Sequence, residues 1–290
     1  MPPSLEDLLV VGVASSALFD LSASDAVFTT EGEQAYRAYQ EAHLDEPFAP
    51  GVAFPFLRRL LGLNALGPLV EVVVLSRNSP DTGLRILRSA AFHGLPMTRA
   101  IFTEGRAPHE FMPALNMSLF LSAHADDVRR ASLAGMPAGQ VLKSSFLDDD
   151  DPALRIAFDF DGVLASDASE RIYRTGGLDR FQEHEARNVV TPLDPGPLKG
   201  FLAGVNRIQR VAEDRVRVSV VTARSAPAHE RAINSLKAWG LTVNDAFFLG
   251  GLRKGPILDV LRPHIFFDDQ RGHLVETVPC VHIPFGVANE

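Results

Sequence analysis

The stretch LRIAFDFDGVLASD, Leu154 to Asp167, decides how this chain is read. Its apolar run, Leu154 to Phe158, has the length and composition of a buried strand. The run ends in two carboxylates, Asp159 and Asp161, one residue apart. Period two puts both side chains on one side of the strand end, and Gly162 then permits a sharp turn. Near the start of the chain, LLVVGVASSALFDL (Leu8 to Leu21) has the same apolar character without those two acids.

The likeness between the two stretches extends along the chain. Residues 11–57 fall on 156–202 at an offset of 145, and Pro47, Pro50, Gly51, Phe56 and Leu57 land on identical residues. Ala23, Ser24, Thr30 and Gly32 do so too. One inserted residue later, at an offset of 146, Val70, Val72, Val74, Arg85, Gly94, Gly105 and Phe120 again meet their own kind. Turn-setting Gly and Pro recurring in order over roughly a hundred positions indicate two copies of one fold. Between them, SSFLDDDDP (Ser144 to Pro152) carries four aspartates and a proline, which read as a solvated linker. The domain ranges are then 1–147 and 153–290.

Each copy alternates short apolar runs with helical patterns. In the second these are LRIAF, a helical region from about 168 to 185, GFLAGVNRIQRVA, VRVSVVT, PAHERAINSLKAWG, DAFFLG, GPILDVL and HIFF. Such alternation predicts two tandem α/β domains, each a doubly wound parallel sheet, with ligands outside the carboxyl ends of the strands. The run Leu8 to Phe19 reads as one buried strand, too short to span a bilayer and preceded by acids rather than by a basic segment. A net charge of -8 without a basic cluster leaves no footprint for a nucleic-acid polymer. Cys280 is the only cysteine, so no intrachain disulfide can form, and a reducing, cytoplasmic setting is expected.

The chemistry gathers at the strand ends of the second copy. One strand ends in Asp159 and Asp161, one in Thr222, and one in Asp268 and Asp269, while Lys254 opens a short helix. At about 4 Å and an effective dielectric near 20, each like-charge pair costs on the order of 4 kcal/mol, so four such acids call for a cation. Oxygen-only ligands select a hard ion, and Mg²⁺ is the usual one with phosphate substrates. One carboxylate can attack phosphorus, a second can move the proton, and lysine, hydroxyl and backbone N–H groups can hold the phosphoryl oxygens.

DFDGV, Thr222, Lys254 and the pair at 268–269 resemble, in order and spacing, the haloacid dehalogenase-like phosphatases, a Rossmannoid fold. SALFDL (16–21), AYRAYQ (35–40), APGVAFP (49–55), LSRNSPDTGLR (75–85), VTARSAPAHERAI (221–233), AFFLGGLRKGP (246–256) and IFFDDQ (265–270) are similar to the type I cytosolic 5′-nucleotidases. The resemblance implies Mg²⁺-dependent hydrolysis of nucleoside 5′-monophosphates, AMP prominent among them, through an aspartyl phosphate. By position it makes Asp159 the nucleophile, Asp161 the general acid/base, and Thr222 and Lys254 the phosphate binders. Ala223, Arg224, Ser225 and Gly162 become substrate-binding candidates, and Asp159, Asp161, Asp268 and Asp269 the metal set. The resemblance also implies a small helical cap in the second copy, at about 164–197. Tyr173 and Phe181 there read as the apolar stripe of a packed helix, His184 as a surface residue, and Trp239 as core. A phosphatase for another small phosphate ester and a non-catalytic nucleotide-binding protein stand as alternatives.

The first copy lacks the set. Asp159 falls on Ala14, Asp161 on Ser16, Thr222 on Ser76, Lys254 on Pro108, and Asp268 and Asp269 on Ser122 and Ala123. A domain without nucleophile or metal acids is expected to be inactive. Its loop SRNSPDTG (76–83), with Arg77, is a candidate anion site for a regulatory nucleotide.

Overall fold

A computed structural model of the protein describes residues 4–149 and 151–289. Asp150 of the expected linker, and the ends 1–3 and 290 of the two expected domain ranges, lie outside the described residues. The chain divides into two compact units, one up to Val141 and one from Leu142 onward.

In the first unit, β1 (Leu9–Val13), α1 (Ser15–Leu18), α2 (Ser22–Glu31), α3 (Glu33–Ala42) and α4 (Phe54–Gly62) precede β2 (Val70–Ser76). There follow α5 (Pro80–Phe92), β3 (Arg99–Phe102), β4 (Met117–Ser122), α6 (Ala125–Leu133) and β5 (Ala138–Val141). The second unit runs β6 (Leu154–Phe158), α7 (Ala168–Arg187), α8 (Lys199–Gln209), β7 (Val216–Thr222), α9 (Ala228–Ala238), β8 (Asp245–Phe248), α10 (Gly255–Leu261), β9 (Ile265–Asp268) and β10 (Cys280–His282).

Both units are parallel α/β sheets. The first has strand order β3-β2-β1-β4-β5, the second β8-β7-β6-β9-β10. The central strands β1 and β6 are nearly continuous apolar runs because helices cover both faces of such a sheet. The ladders also share register. Val11 sits opposite Val72 and Leu119 in the first unit, and Ile156 opposite Val218 and Ile265 in the second. Val73 pairs with Arg99, and Ser219 with Asp245. These are the same positions that the sequence offsets superimpose.

Three expectations are corrected. The strand read across Leu8 to Phe19 stops at Val13, and the chain turns helical at Ser15–Leu18. Its last ladder partner is Val74, so the apolar run outlasts the sheet. A helical segment after the first strand, expected only in the second unit, occurs in both. Gly32 separates α2 from α3 at φ 86°, and Gly177 breaks α7 at φ 71°. The linker acids are not merely solvated. Asp149 and Asp151 hold Arg155 at 2.8 and 2.7 Å.

The gapless offset over residues 11–57 also hides a local shift. Phe19 bridges Pro50, but Ala165 bridges Pro195, one residue beyond the position that the offset assigns. Where the first unit has the helical turn α1, the second has a loop one residue longer that turns through Gly162, whose φ is +72°. Among the described residues, no helix is long and apolar enough to cross a membrane.

Candidate active site

The carboxyl ends of β6, β7 and β9 bring most of the expected set together. Asp159 follows β6, and its backbone N–H donates to the carbonyl of Phe267 on β9 at 2.7 Å, which fixes its height at the sheet edge. Lys254 opens α10 and lies between two acids, its Nζ 2.9 Å from Asp159 Oδ1 and 2.6 Å from Asp268 Oδ2. All three side chains are buried. Asp268 is aimed by two further contacts: Oδ1 accepts the backbone N–H of Gln270 at 2.8 Å and meets His273 Nδ1 at 3.3 Å. Asp269 lies against Gly162. A Cβ at residue 162 would come within 2.4 Å of the Asp269 carboxyl, so left-handed φ and close approach both require glycine.

Charge at this edge is unbalanced. Asp159, Asp268 and Asp269 face one ammonium, Lys254. Burial pushes Asp159 up to about 7; Lys254 opposes this, while Asp268 and Asp161 add to it. Burial, then Asp159 and Asp268, push Asp269 up to about 9. Burial also works against Asp268, but Lys254 and His273 hold it below the ordinary carboxylate range. Lys254 itself is raised; its two acids outweigh its desolvation.

The residues fit a hard divalent cation. When ionised, three carboxylates against one ammonium leave two negative charges in a buried place. Asp269 Oδ1 is buried without a hydrogen-bond partner, which is costly unless something answers it. Ligand atoms of Asp159, Asp268 and His273 lie within 4.8 Å of one another. His273 is a ligand candidate that the sequence reading passed over, because it sits in a short turn (Arg271–His273) outside the strand ends.

Thr222 is buried at the end of β7, where its hydroxyl accepts the N–H of Arg224 at 3.3 Å. Ala223 and Ser225 follow in the loop on either side of Arg224, and the N–H groups of Gly250 and Gly251 donate to the carbonyls of Arg224 and Ala223, both at 3.1 Å.

Asp161 stands apart from the lysine cluster. Both its oxygens are held by Arg224: Nε reaches Oδ2 at 2.6 Å and Nη2 reaches Oδ1 at 2.7 Å. The guanidinium also donates Nη1 to Glu185 and to the carbonyl of Ala228, and Nη2 to Ser169 Oγ at 3.0 Å. All five guanidinium N–H groups are thus occupied within the unit. Arg224, expected near substrate, has no donor left for a phosphate.

Glu185 was not singled out by the sequence reading, yet it is fully buried. It binds Arg224, Arg231 Nη1 at 2.8 Å and Ser169 Oγ at 2.9 Å. A usable signal existed: the repeat offset puts Gln40 on Glu185 and Arg85 on Arg231, a matched polar pair in helical positions. Tyr173, by contrast, is 46% exposed and meets Phe181 edge-on at 6.2 Å. The only buried residues of α7 are Ser169 and Glu185, so this helix docks through polar contacts and the expected apolar stripe is absent. Trp239, expected in the core, is half-buried and stacks on Phe160 at 6.2 Å. His184 is also half-buried, with Nδ1 3.1 Å from Glu185. In the first unit, Arg77 pairs with buried Asp127, so its charge is already answered.

Comparison with known proteins places the chain in a family. The human protein named cytosolic 5′-nucleotidase 1B is 33% identical over 290 residues, covering 94% of this chain and 48% of that relative. The chain therefore spans about half the length of this curated relative. No solved structure matches. The family model described as 5′-nucleotidase matches residues 1–290. The chain, matched along its whole length, belongs to the 5′-nucleotidase family.

Proposed function

We propose that the protein is a phosphoric monoester hydrolase that takes nucleoside 5′-monophosphates, AMP among them, and that its second unit is a haloacid dehalogenase-like catalytic domain. The carrying observation is the buried array of Asp159, Lys254, Asp268 and Asp269 at one sheet edge, where burial, and then the neighbouring acids, push two of the acids up against a single ammonium. The first unit is read as a duplicated, inactive copy. The matching strand orders and registers support that reading.

Asp159, Asp268 and Asp269 would hold Mg²⁺, with His273 beside them. The bound ion would supply positive charge to the phosphoryl oxygens and to the acids. An Asp159 carboxylate oxygen attacks phosphorus, the bond from phosphorus to O5′ breaks, and the electron pair passes to O5′. Asp161 gives O5′ its proton. In the second half Asp161, now a carboxylate, takes a proton from water, whose oxygen displaces Asp159 from phosphorus and releases phosphate. Lys254 favours the ionised form of Asp159, against the burial that raises it. Thr222 and the N–H groups of its loop cradle the phosphoryl oxygens, and Gly162 leaves the space in which Asp269 approaches the nucleophile. A cytoplasmic setting accords with the word cytosolic in the human relative's name.

Phosphate release from a panel of nucleoside monophosphates and sugar phosphates, with and without Mg²⁺, tests the reading. Preference for nucleotides with loss in EDTA is expected. A preference for sugar phosphates would redirect it to another ester, and no turnover of any ester would leave a binding protein. For a regulatory nucleotide on the first unit, an equal ADP response of wild type and Arg77→Ala would remove Arg77 from that role.

A further inference from the structure

We propose that Glu185 is a positioning residue for proton transfer: through Arg224 it sets the orientation of the Asp161 carboxyl. The inference rests on the reading of Asp161 as the general acid/base.

Burying a charge is costly unless geometry and hydrogen bonds offset it. Glu185 and Arg224 are both buried. A scaffold role alone does not need those charges, and the first unit shows why. There Gln40, at the position matching Glu185, accepts from Arg85 Nη1 at 3.1 Å, and Arg85 Nε donates to the carbonyl of Glu46 at 2.9 Å. In the second unit Arg231 Nη1 meets Glu185 at 2.8 Å and Arg231 Nε donates to the carbonyl of Thr191 at 2.9 Å. The two arginines do the same job, and a neutral amide suffices in one of them. What differs is the neighbour. Asn78 stands in the first unit where Arg224 stands in the second. The acid at 185 is needed because Arg224 is there, and the other edge of Arg224 goes to Asp161.

The geometry makes that edge a clamp. Arg224 meets both Asp161 oxygens in a two-point fork, which fixes the plane of the carboxyl as a single contact would not. Each oxygen keeps a second lone-pair direction for the leaving oxygen or for water. The guanidinium is packed by rings as well, its carbon 5.2 Å from the Phe160 centroid and 5.6 Å from that of Phe181. Glu185 and Ser169 lie towards opposite ends of α7, so the helix that follows the catalytic strand is joined by them to the catalytic acid.

The test compares two esters that bind alike but leave differently. AMP needs its leaving alkoxide protonated. Its 5′-phosphorothiolate analogue, with bridging sulfur, leaves as a thiolate and does not. kcat/KM is measured for both because it reports the first phosphoryl transfer. Glu185→Gln should lower kcat/KM for AMP about tenfold or more, a part of the 10²–10⁴ that a positioned acid contributes, while the analogue falls much less. Glu185→Asp, which keeps the charge, should recover part of the ratio. If Glu185→Gln does not fold, Ser169→Ala reads the same effect, with a split of about threefold for one lost hydrogen bond. An equal fall on both esters, or none, overturns the proposal. Asp161→Asn separates the two levels. If it lowers both esters alike, the role of Asp161 itself fails; if it splits them while Glu185→Gln and Ser169→Ala do not, only the positioning role fails.

Discussion

The loop after β2 and the loop after β7 share a backbone and differ in chemistry. Thr103, Glu104 and Gly105 donate their N–H groups to Ser76, Asn78 and Arg77 at 3.0, 3.1 and 2.9 Å. Leu249, Gly250 and Gly251 donate to Thr222, Arg224 and Ala223 at 2.9, 3.1 and 3.1 Å. A side-chain oxygen caps the same N–H in each, Ser76 on Asn78 and Thr222 on Arg224, both at 3.3 Å. At the next strand end, Ser122 accepts from the N–H of His124 at 3.1 Å where Asp268 accepts from Gln270 at 2.8 Å. Backbone satisfaction is thus met by hydroxyls as well as by acids. What the second unit adds is charge, and it adds it in sets. Asp159 comes with Lys254, and Asp161 with Arg224 and Glu185. The first unit replaces these with Ala14, Pro108, Ser16, Asn78 and Gln40. A lone survivor would have been a buried, uncompensated ion, so loss of one member removes the reason for its partner.

Asp159→Asn is the harshest way to sharpen this contrast. Activity should fall on the order of 10⁴-fold or more, as for removal of a nucleophile, while circular dichroism and melting temperature stay close to wild type. Activity retained in that variant would break the comparison outright.

The reverse graft, Ala14→Asp, puts a carboxylate at a site 4% exposed with no lysine opposite. It should cost about 3 kcal/mol, seen as a lower denaturant midpoint, and should confer no activity of its own on Asp159→Asn protein. A neutral effect on stability would mean that the first unit retains a concealed counter-charge.

Metal and pH distinguish the units next. Burial places Asp159 at about 7 and Asp269 at about 9, above the ordinary carboxylate value. Between about pH 4 and 9 these two acids therefore bind more protons in the folded metal-free protein than in the unfolded chain, and their contribution to stability falls as pH rises. A divalent cation reverses that trend, so the rise in melting temperature on adding Mg²⁺ to EDTA-treated protein should grow from pH 6 to pH 8. A Mg²⁺ shift that is flat or shrinks with pH would separate these acids from the metal.

The smallest effect concerns the shared helical break. Gly32 and Gly177 both have left-handed φ, 86° and 71°, and a Cβ at either would meet open space. With ψ at -176° and -172°, both lie in a region that is essentially glycine-only, so Gly32→Ala and Gly177→Ala should each cost about 1 to 3 kcal/mol from backbone strain alone. Similar melting shifts in the two variants would extend the comparison, and a large effect at only one would limit it.

Much of the site was legible at strand ends. Asp159, Thr222, Asp268 and Asp269 each follow an apolar run whose alternation and length are local properties, and Gly162 marks its own turn. Lys254 was legible from the glycines before it and the short helix after it. The clamp was not, because the loop residues 161 and 224, helix α7 with residues 169 and 185, and helix α9 with residue 231 are far apart in sequence and nothing local says that they meet. Helix α7 misled the sequence reading for a related reason. Its aromatic residues look like a core stripe, yet its buried positions are a serine and a glutamate, whose burial is acceptable only once two arginines from elsewhere arrive.

By itself the sequence determined two parallel α/β units, the order of their strands along the chain, and which unit carries acids at its strand ends. Periodicity, turn residues and repeat offsets are short-range information, written in neighbouring positions. Tertiary structure decided where β1 stops, that both units carry a helical segment after the first strand, that Arg224 is consumed by Asp161 and Glu185, and that His273 stands beside Asp268. The last two outcomes depend on which charges are buried against which, an energy defined only when distant parts of the chain share a low-dielectric interior, and the first two on which strand partners run out.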